Sequence, residues 1–129
     1  MNKIIVEVSI GELLDKISIL EIKKGKIKDP EKLKFVKNEH SILKKQLENN
    51  VKSDDKLEKY FQALKEINSK LWVIEDDKRE CEKNKDFGEK FIKLSRDVHF
   101  LNDDRAKIKL QINNHTGSVI KEIKEYTNY

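Results

Sequence analysis

The stretch DDKLEKYFQALKEINSKLWVIEDDKRECEKN, residues 54–84, decides the fold. Its apolar residues Leu57, Tyr60, Phe61, Leu64, Ile67, Leu71 and Ile74 recur three and four positions apart. That spacing marks one face of an α-helix, not the alternation of a strand. The stretch holds neither Gly nor Pro, so nothing in it breaks a helix. It reads as a helix from about Asp54 to Asn84, about 45 Å long at 1.5 Å per residue.

A second long helix follows. Asp86-Phe87-Gly88-Glu89 reads as a capping box, a short polar residue followed three positions later by Glu. The pattern then runs through Phe91, Leu94, Val98, Leu101, Ile108 and Ile112 to about His115. Thr116-Gly117-Ser118 ends it, Gly being suited to a helix terminus. The connection near Lys85 is short, so the two helices run antiparallel.

Two shorter helices precede them. Ser9-Ile10-Gly11-Glu12 is a capping box, and a helix with Ile10, Leu13, Leu14, Ile17 and Leu20 on one face runs to about Lys28. Ile19 and Ile22 lie off that face, which places this helix centrally. Asp29-Pro30 stops it and starts the next, since Pro suits a first helical position. That helix, Pro30 to about Asn49, uses Leu33, Val36, His40, Leu43 and Leu47. Residues 4–8 (Ile-Ile-Val-Glu-Val) are β-prone and form an extended arm or an edge strand. Residues 119–123 could be strand or helix. The expected fold is all-α: one domain spanning 1–129, an antiparallel helical bundle of two hairpins with a long third and fourth helix. The unequal lengths leave an apolar overhang, which predicts a homodimer.

Composition agrees. Of 129 residues 40% are charged and 36% hydrophobic, with 4 Gly and 1 Pro. Few turn residues and many charges exclude a β-sandwich, a collagen-like chain and a multi-domain enzyme. The 28 cationic and 24 acidic side chains leave a net charge of +4. No long block of like charge occurs, so the lysines read as a solvated surface rather than a nucleic-acid footprint. The lone Cys81 allows no intrachain disulfide and suits a reducing compartment. The absence of a long apolar run or a signal-peptide pattern predicts a cytoplasmic protein with no membrane contact.

All but three of the cationic residues are Lys, which singles out Arg79, Arg96 and Arg105 as places that need a planar fork of donors. On a wheel of about 100° per residue, Asn68, Glu75 and Arg79 point close to the direction of Leu57, Leu64 and Leu71. Arg105 falls on the stripe of the fourth helix, with Asn102 at its margin. In an antiparallel hairpin turning near Lys85, Asn68 lies opposite Asn102 and Glu75 opposite Ser95 and Val98. Buried charges must pair, face a pocket or meet a partner. These residues therefore form either a structural network or a ligand site. Trp72 beside the main stripe is a core or interface residue.

Other chemistry finds little support. Glu75-Asp76-Asp77 and Asp103-Asp104 could hold Mg²⁺ for a hydrolase, but adjacent carboxylates splay by about 100° on a helix. There is no His pair spaced for zinc, no Gly-rich phosphate loop and no Ser/His/Asp set.

Four stretches carry a resemblance: Val8-Ser9-Ile10-Gly11-Glu12-Leu13 with Asp15-Lys16 and Ile19-Leu20-Glu21-Ile22-Lys23; Leu71-Trp72 with Ile74-Glu75-Asp76-Asp77 and Arg79; Asn102-Asp103-Asp104-Arg105-Ala106 with Ile108-Lys109; and Thr116-Gly117-Ser118. Together they resemble an uncharacterised family of short bacterial and phage proteins, a domain of unknown function, over roughly residues 3–126. The resemblance implies an association with glycosyltransferase and surface-polysaccharide genes and supplies no catalytic residues. It adds Glu12, Asp15 and Lys16 to Glu75, Arg79, Asn102 and Arg105 as candidate ligand-binding residues. The functional expectation is a non-catalytic helical interaction or scaffold module, a homodimer that also meets a protein partner, without cofactor or metal. The alternative is a small-molecule or nucleotide-sugar binding protein, or a Mg-dependent hydrolase, built on the interhelical polar cluster.

Overall fold

The Ser9 hydroxyl accepts the Glu12 backbone N–H at 3.0 Å and opens the first helix, α1, Ile10–Lys26. It ends two residues earlier than its pattern suggests, because Asp29 must stay extended before Pro30 while its side chain accepts Glu31 N–H. Pro30 then starts α2, Pro30–Asn50. The Asp54 carboxylate caps α3, Asp55–Lys83, by accepting Leu57 N–H at 2.7 Å. Helix α4 is Glu89–Thr116 and ends on Gly117 in the left-handed conformation at φ 66°. The computed structural model describes residues 2–129, and among these there is no strand.

One local expectation fails. The capping box at Asp86 does not form: Gly88 is the cap, with no side-chain bond, and Asp86 accepts the Gly88 N–H instead. The chain turns from α3 into α4 at Lys85, whose φ of 57° is left-handed. That turn spends the residues which would have begun the helix earlier.

The bundle is organised about α1, which packs on α2, α3 and α4, while α3 and α4 form the long antiparallel pair. Its core joins Leu14 and Ile17 of α1, Leu57, Phe61 and Leu64 of α3 and Ile112 of α4. Leu43 and Leu47 of α2 close it on one side. Burying a side chain such as Ile17 or Leu64 is worth about 1.5–3 kcal/mol, and both are fully buried.

This core occupies only one end of the long hairpin. On α3 beyond Leu71 the sole buried residue is Cys81, and α4 has none before Lys109. The outer half is thus a two-helix ribbon. Val73, Phe87, Ile92 and Phe100 remain exposed on it, and Trp72 is half-buried. Residues 2–8 are exposed and form neither helix nor strand. Residues 118–129 form neither strand nor helix and fold back along α4, where Glu122 meets Lys109 and Tyr129 meets Asp103.

Candidate functional site

Asp15 lies on the side of α1 that faces both long helices, and it is 1% exposed. Its Oδ1 accepts Asn68 Nδ2 at 2.9 Å and Arg105 Nε at 2.9 Å, and its Oδ2 accepts Arg105 Nη2 at 2.5 Å. Asn68 Nδ2 also donates to Ser18 Oγ, whose hydroxyl donates to the Asp15 backbone carbonyl. Arg105 Nη1 makes a longer bond to Asn102 Oδ1 at 3.4 Å. The hydrogen bond with Asp15 is the main reason the Arg105 guanidinium is held above its ordinary pKa. A carboxylate with three donors is already satisfied, and such a group fixes helix register rather than abstracting protons.

One helical turn away stands a second cluster. Lys109 Nζ donates to Glu12 Oε2 at 2.7 Å and to Glu122 Oε2 at 2.6 Å. Burial, the largest influence on Lys109, lowers its pKa, but the bonds to the two carboxylates outweigh it and leave it raised. Glu122 is pulled down to about 2, first by the bond from Lys109 and next by that from Lys124 at 3.0 Å. Lys16 is exposed and only 4.0 Å from Glu12.

The N-terminus of α1 is closed by the end of α4. Ser118 Oγ accepts Ile10 N–H at 3.1 Å, and Asn113 Oδ1 accepts Gly11 N–H at 2.7 Å. With the Ser9 bond to Glu12, the first three free N–H groups are matched, so this terminus is no anion site. The approach is possible because residue 11 is Gly. A Cβ there would stand 2.6 Å from the Lys109 carbonyl oxygen and 2.9 Å from Asn113 Oδ1. The Asn113 Nδ2 is buried without a hydrogen-bond partner. On the far side of α1, Glu21 joins His40 of α2 at 3.4 Å and Lys65 of α3 at 3.1 Å.

Of the residues nominated by sequence, Glu12, Asp15, Asn102 and Arg105 come together at α1 and α4. Glu75 and Arg79 do not. Both are exposed on the outer half of α3 and make no ion pair or side-chain hydrogen bond among the described residues. The α3 stripe predicted from sequence runs past the point where α1 covers it: the hydrogen bonds of α1 reach Lys65 and Asn68 and go no further along α3. With α4 as sole neighbour, the buried face narrows and positions 75 and 79 fall outside it. Ser18, Lys109, Asn113, Ser118 and Glu122 were not nominated. Gly11, Asp15, Ser18 and Ile22, spaced four, three and four apart and all buried, mark a second face of α1 that could have revealed Ser18.

The side of this assembly that remains open is a cleft of about 780 Å³ between α4 and the C-terminal tail. Arg105, Lys109 and Lys124 line it, together with His99, Tyr126 and Tyr129. Among the described residues no group of three or more His, Cys, Asp or Glu side chains is placed to hold a metal ion. Nor is any helix long and apolar enough to cross a membrane.

The chain belongs to a family of unknown function (DUF6165), whose model matches residues 4–129. No curated protein matches it, and no solved structure does.

Proposed function

We propose that this member of the family is a non-catalytic helical interaction module that pairs with a second copy of itself along the outer half of the α3–α4 hairpin. The observation that carries the reading is the contrast along that hairpin. The inner half is closed by α1 and locked by the Asp15–Arg105 pair, whereas Val73 and Phe100 of the outer half stay 49% and 38% exposed. They line a groove of about 650 Å³ together with the half-buried Ile74 and Leu101. Its rim carries both signs of charge, Glu66 and Lys70 on α3 and Asp97 on α4. A two-fold contact sets a patch against its own copy, so a rim of mixed sign is self-complementary where a rim of one sign would repel.

Light scattering and sedimentation velocity on the full chain test this across the micromolar range. The wild type is expected at twice the mass of 15.3 kDa. The pair Val73→Glu and Phe100→Glu is expected to give a monomer with unchanged helical circular dichroism. A wild type that stays monomeric at high micromolar concentration overturns the proposal.

A further inference from the structure

The cleft between α4 and the tail adjoins the α3–α4 groove through Phe100, but the charged groups that line it are different ones. One end is cationic: Lys109 and Lys124 both donate to the Glu122 carboxylate, at 2.6 and 3.0 Å, with Arg105 beside them. The other end is aromatic: the Tyr129 ring stands edge-on to His99 and Phe100, 5.4 and 5.5 Å between centroids, while Tyr126 lines the cleft beside Lys124, whose ammonium is 6.0 Å from its ring. The acidic groups nearby are accounted for. Glu12 and Asp15 are bonded to Lys109 and Arg105, and Asp103, which also lines the cleft, takes the Tyr129 hydroxyl. A volume near 780 Å³ is that of a small-molecule site.

We propose that this cleft binds a small phosphate ester carrying a flat ring, of mononucleotide size, and that the Glu122 side chain occupies the phosphate position as a tethered stand-in until it swings out. The tail suits such a role. It has no helix or strand of its own, and beyond the Glu122–Lys109 bond its side chains touch α4 through Tyr129, which meets Asp103, His99 and Phe100. The Glu122 side chain is 37% exposed, so it can turn out to solvent while Lys124, Tyr126 and Tyr129 keep their places. Two lysines that hold a carboxylate can hold a phosphate oxygen through the same charge-assisted bonds, and the tyrosine and histidine rings offer stacking faces for a base. With the stand-in present, the apparent affinity is the intrinsic one multiplied by the fraction of molecules in which the Glu122 side chain is turned out.

Calorimetric titration of the full chain with inorganic phosphate, ribose 5-phosphate and uridine monophosphate, at low salt, tests the proposal. Glu122→Gln removes the competing charge without shortening the tail. It is expected to bind uridine monophosphate about tenfold more tightly than the wild type, with phosphate and ribose 5-phosphate weaker than the nucleotide. In that background Lys124→Gln, at an exposed lysine, is expected to weaken binding several-fold with circular dichroism unchanged. Equal affinities for wild type and Glu122→Gln, no heat with either, indifference to Lys124, or phosphate binding as tightly as the nucleotide would each overturn the assignment.

Discussion

Arg105 and Asp15, ninety positions apart, meet through two parallel N–H···O bonds that tie α4 to α1. The partners are unequally buried, the Asp15 side chain being 1% exposed and that of Arg105 28%. Removing one partner therefore does not mirror removing the other. Arg105→Met strands a carboxylate that cannot reach water, and losses for an uncompensated buried charge run to about 3–5 kcal/mol. Asp15→Ala leaves a guanidinium that can turn toward solvent, so its cost is expected below that range. Urea unfolding of the two variants should rank Arg105→Met as the more damaging, and the reverse ranking would contradict the burial pattern. Arg105→Lys is expected to recover only part of the loss, since an ammonium cannot reproduce the fork.

The two glycines of α1 should respond to alanine with opposite signs. Gly25 is exposed with nothing within 4 Å of an added Cβ. There Ala is expected to stabilise by roughly 0.5–1 kcal/mol through helix propensity alone. At Gly11 the same change sets a methyl against the α4 backbone at 2.6 Å. Backbone cannot swing aside as a side chain can, so α1 must move away from α4 and loosen the bonds from Ile10 and Gly11 to Ser118 and Asn113. Overpacking of this kind costs about 1–3 kcal/mol. Thermal melts of the two variants read the signs directly.

Glu75→Ala and Arg79→Ala are expected to change stability by less than about 0.5 kcal/mol each, as exposed substitutions without partners do. Chemical denaturation checks this, and a loss above about 2 kcal/mol at either position would restore them to the buried face from which the structure removes them.

These residues also show how far the sequence could be read. Helix number, the cap at Ser9, the stop at Pro30 and the end at Gly117 are local matters of hydrogen bonding and φ, and each is legible from a few neighbouring residues. The central place of α1 followed from its broad apolar circumference. Arg105 was legible because a rare Arg sat on an apolar stripe. Glu75 was misread because a stripe reports which side of a helix is apolar, not where along the helix its neighbour stops. The Lys109–Glu122 pair is not legible for a related reason: it depends on the tail folding back, and no periodicity in residues 119–129 announces that path.

The tail also gives the chain a pH-dependent contact. Glu122 titrates near 2 in the folded protein against an ordinary value of 4.5, held down by Lys109 and Lys124. Between those values the unfolded chain binds the proton and the folded one does not, so acid favours unfolding there. The Glu122 contribution is therefore complete above about pH 4.5, declines as pH falls through the interval and vanishes near 2. Both lysines stay protonated throughout, their pKa values being raised. Because the Glu122 side chain is 37% exposed, solvent screening keeps the effect small, and it is best read as a difference. The melting temperature of the wild type minus that of Glu122→Gln should be positive and flat from pH 7 to about 5, then fall toward zero by pH 2. A difference that grows on acidification would mean that something other than this carboxylate fastens the tail to α4.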